Sequence, residues 1–407
     1  MKFEEFLENS YTAFHTVANC EKILTEADFK KLTMGQDWKL KDGGKYFVTK
    51  NQSTIIAFVV GDLSNYHFNI VAAHTDSPAL KVKGCELIKS PAGNRINVEI
   101  YGSPIYYSYF NIPLKIAGRL YLKENDKIIS KIVTSKTDVT IPSLAIHLNR
   151  DINSHAEFKV QNDMLPFAGD AENIYSFFDE KDIVDSDLFV VSDVKPFRSG
   201  LHNQYLSSPR IDNLASVYCA INAIKECKAK GVAIAALFDN EEIGSATKQG
   251  AGSSLLQSVL MQINHTLNKD LVQFRSACEN GLLLSADNAH AVHPAHQDKT
   301  DPVNTVYLGQ SLTIKHHKNY TTDGYSSALL KNLLSQNNMS FQDFYSNSDI
   351  ACGSTLGYLP SQQLSMRSVD IGIPQLSMHS AIEMIETRDL HSLEKCFKLF
   401  YQTTFNC

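Results

Sequence analysis

Val232-Ala233-Ile234-Ala235-Ala236-Leu237-Phe238-Asp239-Asn240-Glu241-Glu242-Ile243-Gly244-Ser245 joins an apolar run to a pair of adjacent glutamates. The run reads as a buried strand, with the acidic pair at its end. Charges taken out of water must be paired or must coordinate a metal. Adjacent residues at a strand end point to opposite sides. One glutamate can therefore bind a metal while the other stays free to move a proton. The ordinary alternative is a solvated loop, so the reading turns on what the rest of the chain supplies.

Working outward, residues 1–32 read as helices, with apolar residues at Phe3, Phe6, Leu7, Phe14 and Val17. Residues 45–49, 53–60 and 68–73 read as strands covered on both faces, the last leading into His74. From residue 83 the pattern changes. Ile96, Val98 and Ile100 alternate with polar residues, as do Leu114, Ile116, Leu120 and Leu122, with Gly118 inside the run. A turn at Asn125-Asp126 precedes Ile128-Ile129 and Ile132-Val133. Period-two alternation of this kind marks antiparallel, half-buried sheet. Helix character returns after Asp212, with Leu214, Val217, Tyr218, Ile221 and Ile224 on one face. A further helix is expected near 253–267 and strands at 282–286 and 369–373. Ser380-Ala381-Ile382-Glu383 has the capping-box pattern of a helix start. Strands alternating with helices imply a mostly parallel sheet layered by helices. The expected units are 1–82 and 206–407 as one catalytic domain in two segments, with 83–205 a β-rich insertion.

The chain has 407 residues, too many for one simple core, so more than one domain is expected. Its formal charge of −6 leaves no basic footprint for nucleic acid. No apolar run approaches the roughly 20 residues that span a bilayer. The acidic, amphipathic start Met1-Lys2-Phe3-Glu4-Glu5 lacks the apolar stretch of a signal peptide. The eight cysteines include no Cys-x-x-Cys pair, which fits reduced thiols rather than a disulfide frame or a cysteine zinc site. Cytoplasmic residence is the expectation.

Metal-ligating side chains recur at the carboxyl ends of the expected strands, where ligands gather in open α/β sheets. They are His74, Asp76, Asp212, Glu241, Glu242, Asp287 and His379. His74 and Asp76, two apart, face the same side. His74 can offer one ring nitrogen to a metal while Asp76 takes the other ring N–H. Asp212 has the setting of a helix cap, and as a ligand it could bridge two cations through its two oxygens. Asp287 is followed by His290, His293 and His296. That His-x-x-His stretch is a competing zinc assignment, against histidines lining a substrate cleft. Two histidines and three carboxylates suit a pair of zinc ions sharing one aspartate, and also admit Mn²⁺ or Co²⁺. No His-Glu-x-x-His is present, so this is not a single-zinc helix site.

Seven segments carry a resemblance. They are Gly43-Gly44-Lys45-Tyr46-Phe47 with Ile56-Ala57-Phe58, Ala73-His74-Thr75-Asp76-Ser77-Pro78, Ser208-Pro209-Arg210-Ile211-Asp212-Asn213 and Leu237-Phe238-Asp239-Asn240-Glu241-Glu242-Ile243-Gly244-Ser245. Ser285-Ala286-Asp287-Asn288-Ala289-His290-Ala291, Cys352-Gly353-Ser354-Thr355 and Pro374-Gln375-Leu376-Ser377-Met378-His379-Ser380 complete them. In this order the chain resembles the metallo-aminopeptidase family of aspartyl aminopeptidase and aminopeptidase I. The resemblance implies an α/β fold, a helix-layered, mostly parallel sheet of the zinc-exopeptidase kind with an inserted β-rich dimerisation domain. It implies that His74, Asp212 and Asp287 hold one ion and that Asp212, Glu242 and His379 hold the other. Glu241 would be the general base and Asp76 the partner that orients His74. Dimers would build a dodecamer in which His147, in Ile141-Pro142-Ser143-Leu144-Ala145-Ile146-His147-Leu148, reaches a neighbour's active site.

Two departures bear on substrate preference. The segment Ile314-Lys315-His316-His317-Lys318-Asn319-Tyr320 is shorter than the family stretch carrying Gln-Arg-Tyr. Ala295 stands where an asparagine often follows the His-Pro pair. The expected reaction is removal of N-terminal residues from peptides with a free N-terminus, acidic residues among the candidates through Lys315 and Lys318. The alternatives are another two-metal amide hydrolase, such as a deacylase or carboxypeptidase, and a non-catalytic assembly protein of the same fold.

Overall fold

Four parallel strands, Val232–Phe238, Phe68–His74, Leu282–Ala286 and Ser368–Gly372, lie side by side in that order at the middle of a nine-stranded sheet. The computed structural model describes residues 1–405. Thr54–Val60, Lys45–Lys50 and Lys30–Lys31 extend one side of the sheet, the first two antiparallel to their inner neighbours. Thr313–His316 and Gln342–Tyr345 extend the other.

The continuous apolar strands are shared between two cores by their pleat. Ile55, Ala57 and Val59 face one core with Ala233, Ala235 and Leu237. Ile56, Phe58 and Val60 face the other with Val232, Ile234 and Ala236. The first core is roofed by the helices Phe3–Asn9, Ala13–Glu26, Ile211–Glu226, Gly324–Gln336 and Thr387–Tyr401. The second is covered by Leu255–Thr266, Leu271–Glu279 and Tyr358–Leu364. The result is a helix–sheet–helix sandwich, as the alternation of elements predicts.

A second sheet of six antiparallel strands lies between the first two segments of the central one in sequence. Its order is Lys127–Thr134, Leu114–Glu124, Ile183–Ser192, Ala79–Ile88, Asn94–Tyr101, Phe167–Gly169. Its first strand starts before the expected boundary at 83. The alternating residues Ile96, Val98, Leu114, Ile116, Leu120 and Leu122 are its buried face. Gly118 is required by closeness: a Cβ there would lie 2.0 Å from the Asp187 carbonyl oxygen. Asn125 takes the left-handed conformation that the hairpin turn needs (φ 53°). Phe197–Ser199 and Tyr205–Ser208 leave this sheet and pair with each other, and Tyr205–Ser208 also pairs with Glu383–Glu386, near the C-terminal helix.

The capping-box reading at Ser380 is corrected. Residues 380–382 form no helix; Glu383–Glu386 is a strand, and the helix starts at Thr387. The Glu383 carboxylate accepts from the backbone of His379 and of Asp212 instead of from a helix N-terminus. Among the described residues, no helix is long and apolar enough to cross a membrane, and the cysteines are free of disulfides.

Trp38 is the only tryptophan of the chain. Its ring lies 5.8 Å from that of Phe58, which also contacts Tyr46 at 5.4 Å. Phe58 is fully buried. Phe58→Ala is expected to cost about 3–5 kcal/mol through lost burial and a residual cavity. Denaturant unfolding followed by Trp38 fluorescence measures it; an unchanged midpoint would contradict the packing described.

Candidate metal centre

The site lies at the carboxyl ends of the four parallel strands. His74 is the last residue of its strand, and Asp287 follows Leu282–Ala286 directly. Glu241 and Glu242 lie in the single 3₁₀ turn Glu241–Ile243 after Val232–Phe238. That turn is entered through Asn240 in the left-handed region (φ 64°). The strand thus ends before the acidic pair, and the turn separates the two side chains. Asp212 lies at the start of Ile211–Glu226 but has non-helical dihedrals, behind a left-handed Arg210 (φ 61°). His379 is itself left-handed (φ 65°), a conformation that non-glycine residues hold only when surrounding contacts impose it.

Asp212 stands at the centre. Its Oδ1 lies 3.6 Å from His74 Nε2, which is 3.7 Å from Asp287 Oδ1. Its Oδ2 lies 3.6 Å from His379 Nε2, which is 3.6 Å from Glu242 Oε2. These separations are too long for hydrogen bonds. Two donors each about 2.0–2.2 Å from one tetrahedral zinc lie roughly 3.3–3.6 Å apart, close to what is seen. The groups His74, Asp212, Asp287 and Asp212, Glu242, His379 each converge within 4.8 Å. His74, Glu241 and Glu242 form a third such group. Asp212 Oδ1 and Glu242 Oε1 are buried without a hydrogen-bond partner. An orphaned, buried carboxylate oxygen is costly, and a cation would satisfy it. The nitrogen and oxygen donors fit zinc.

The electrostatics carry the same message. Burial, with the charges of Asp287, Asp76 and Asp212, pushes the Glu241 carboxyl up to about 7 against the opposing pull of His74. Burial and Asp212 raise Glu242 well above the carboxylate range. Burial alone would lower His379, but the nearby carboxylates of Asp212 and Glu242 lift it to about 10. Acids that resist ionising and histidines that hold protons mark a pocket with surplus negative charge, which is what bound cations relieve.

Both histidine rings are anchored from behind. His74 Nδ1 lies 3.1 Å from the Asp76 carbonyl oxygen and 3.5 Å from its carboxylate. The nearer acceptor is therefore the Asp76 backbone. The Asp76 carboxylate instead accepts from Tyr101 Oη at 2.8 Å and from the backbone N–H groups of Glu241 and Glu242 at 3.1 and 3.2 Å. His379 Nδ1 faces the Ser103 carbonyl at 3.1 Å. With Nδ1–H donated, each Nε2 faces the pocket and offers a lone pair once a cation displaces its proton.

Glu383 is a site residue that sequence reasoning missed. It is buried, and it accepts from Asp212 N at 2.8 Å and His379 N at 2.7 Å. Its position four residues after His379 was the available signal. Lys315 is buried rather than solvated, its Nζ 3.2 Å from Asp287 Oδ2 and 3.0 Å from the Asn288 carbonyl; Lys318 is exposed. His290 lines the cleft of about 390 Å³ beside Lys315, Tyr320 and Phe344. The rings of His293 and His296 lie tilted against each other, their centroids 5.0 Å apart. Among the described residues, none of these three histidines joins a converging group of metal donors. His147 lies in the exposed turn Ile146–Leu148 and is not among the residues lining the cleft.

Comparisons with known proteins identify the family. The family described as "Aminopeptidase I zinc metalloprotease (M18)" matches residues 6–176 and 171–401. A probable M18 family aminopeptidase 2 of Clostridium novyi (strain NT) is 38% identical, covering 98% of this chain and 97% of its own. A probable aspartyl aminopeptidase of Ricinus communis is 32% identical, over 98% of this chain and 94% of its own. A solved chain from the complex of Ape4 and Nbr1 has a TM-score of 0.93 at 32% identity, covering 98% of this chain and 84% of that one. The S. cerevesiae mApe1 dodecamer shares the fold, with a TM-score of 0.85 at 23% identity over 98% of this chain and 95% of that one. The chain belongs to the M18 family of aminopeptidase I zinc metalloproteases, and it is a metal-dependent aminopeptidase.

Proposed function

We propose that the centre holds two divalent ions, zinc foremost, with Mn²⁺ or Co²⁺ as substitutes. His74, Asp212 and Asp287 would hold one, and Asp212, Glu242 and His379 the other. The observation that carries this is the division of the Asp212 carboxylate, one oxygen toward each histidine at 3.6 Å. When bound, such ions lower the pKa of water toward neutrality and polarise a carbonyl. The rest of the chemistry falls to the chain. The Glu241 carboxylate takes the attacking water's proton and returns it to the leaving amine. Asp76 acts at one remove. Its carbonyl fixes the His74 ring, and its carboxylate holds the backbone of the turn carrying Glu241 and Glu242.

The substrates are peptides with a free N-terminus. The preference for acidic N-terminal residues takes its support from the aspartyl aminopeptidase relative and from the buried ammonium of Lys315 in the cleft. Self-association through the insertion 83–205, ending in a dodecamer, is part of the same reading. Its support is the dodecameric relative and the exposed apolar residues Leu144 and Leu148, 61% and 74% accessible, on either side of His147. His147 would then stabilise the developing oxyanion in a neighbour's cleft. Cytoplasmic residence belongs to the same reading, with support from cysteines that form no disulfide among the described residues.

Glu241→Gln is expected to keep its zinc and lose about 10²–10⁴-fold in kcat. Near-normal turnover in that variant would remove Glu241 from the base role. Glu242→Ala should instead lower the zinc content of the purified protein, read by elemental analysis, and full occupancy would refute its assignment. Dialysis against a chelator should abolish hydrolysis of an aspartyl or glutamyl aminoacyl substrate, and added Zn²⁺, Mn²⁺ or Co²⁺ should restore it. The same substrate with a blocked N-terminus should be inert, and its cleavage would contradict N-terminal selection.

A further inference from the structure

We infer that the segment Tyr101-Gly102-Ser103-Pro104-Ile105 is a strap through which the inserted sheet positions both halves of the metal centre, so that the insertion is a working part of the active site. The inference rests on the two-ion reading above. Tyr101 is the last residue of the sheet strand Asn94–Tyr101. Its hydroxyl donates to Asp76 Oδ2 at 2.8 Å and accepts from Asn240 Nδ2 at 2.9 Å. It therefore ties the residue behind His74 to the turn that bears Glu241 and Glu242.

The next residue touches the other half. Gly102 has φ +73°, and a Cβ built on it would lie 3.2 Å from Glu242 Cβ and 3.3 Å from Glu242 Oε2. That is the oxygen that lies 3.6 Å from His379 Nε2. Two residues of the strap then grip His379 from both sides. The Ser103 carbonyl receives the His379 Nδ1 contact at 3.1 Å, and Ile105 N donates to the His379 carbonyl at 2.9 Å. A connecting loop needs none of these contacts. Together they set the position of Asp76, leave room for Glu242 and fix the tautomer and backbone of a left-handed His379. Groups behind metal ligands typically change metal affinity or activity about 10–100-fold when altered.

Two variants test the strap, with zinc titration of the metal-free protein by calorimetry beside steady-state kinetics. Light scattering and thermal melting serve as controls for assembly and fold. Gly102→Ala adds one methyl against Glu242. It is expected to keep one zinc site near its wild-type affinity and to weaken the other about 10–100-fold. Tyr101→Phe adds no atom and removes one hydroxyl. It is expected to lower kcat by a similar factor of about 10–100 with little change in KM. Wild-type zinc affinity at both sites in Gly102→Ala, or wild-type kcat in Tyr101→Phe, in a folded and normally assembled protein would reduce the strap to a linker. A loss of kcat explained wholly by a lower melting temperature would do the same. If Gly102→Ala fails to fold, Tyr101→Phe decides alone. A wild-type chain that titrates with a single zinc would overturn the two-ion reading by itself, and Tyr101→Phe would still judge the strap.

Discussion

One buried carboxylate, that of Asp212, faces two histidines in opposite directions, and the rest of the centre is arranged around that division. Concentrating Asp212, Glu241, Glu242 and Asp287 in a largely buried cluster is unfavourable unless positive charge returns to it. The surrounding structure therefore has to hold like charges together before any cation arrives. Parallel strands bring His74, Asp287 and the 241–242 turn to one edge of the sheet. Glu383 ties the backbones of Asp212 and His379 to each other. Among the described residues, Lys315 supplies the one ammonium that touches the cluster directly, through Asp287. Left-handed backbone at Arg210, Asn240 and His379 shows where the chain accepts local strain to aim a side chain.

Much of this architecture could be read from the sequence, for identifiable reasons. The apolar strands leave one interpretation open, because four or more consecutive buried residues are covered on both sides. The period-two runs with Gly118 and Asn125 likewise announce an antiparallel sheet. His74, Asp212, Glu242 and Asp287 each end, follow or open a regular element, so fold topology gathers them, whereas His379 sits in a turn between two short strands. Glu383 escaped notice because its spacing from Ser380 imitates a helix start. Local pattern cannot tell a carboxylate that caps its own helix from one that bonds a distant backbone. The sequence marks Lys315 as a candidate contact for acidic residues but gives no sign of its burial: lysines are usually solvated, and only the packed strand Thr313–His316 places this one inside. The left-handed dihedrals have no signature in residue type where they fall on arginine and histidine.

The inserted sheet has its own core, yet it is not independent of the catalytic sheet. Its strand Asn94–Tyr101 ends against Asp76, and the residues that follow run beside His379. Arg119, from the middle of the same sheet, donates to the Asn51 carbonyl beside the central sheet and stacks on Phe14 at 4.3 Å. Two cores joined by polar contacts at the mouth of a cleft allow each to pack separately while sharing the geometry of one site. That arrangement explains how a second sheet can be added to a hydrolytic domain without loosening its centre.

The donors gathered at the strand ends come from opposite ends of the chain, His74 early and His379 late. On the proposed assignment, a fragment cut anywhere between them cannot carry both ion sites. The two-ion centre therefore exists only once the early and late parts of the chain have packed together.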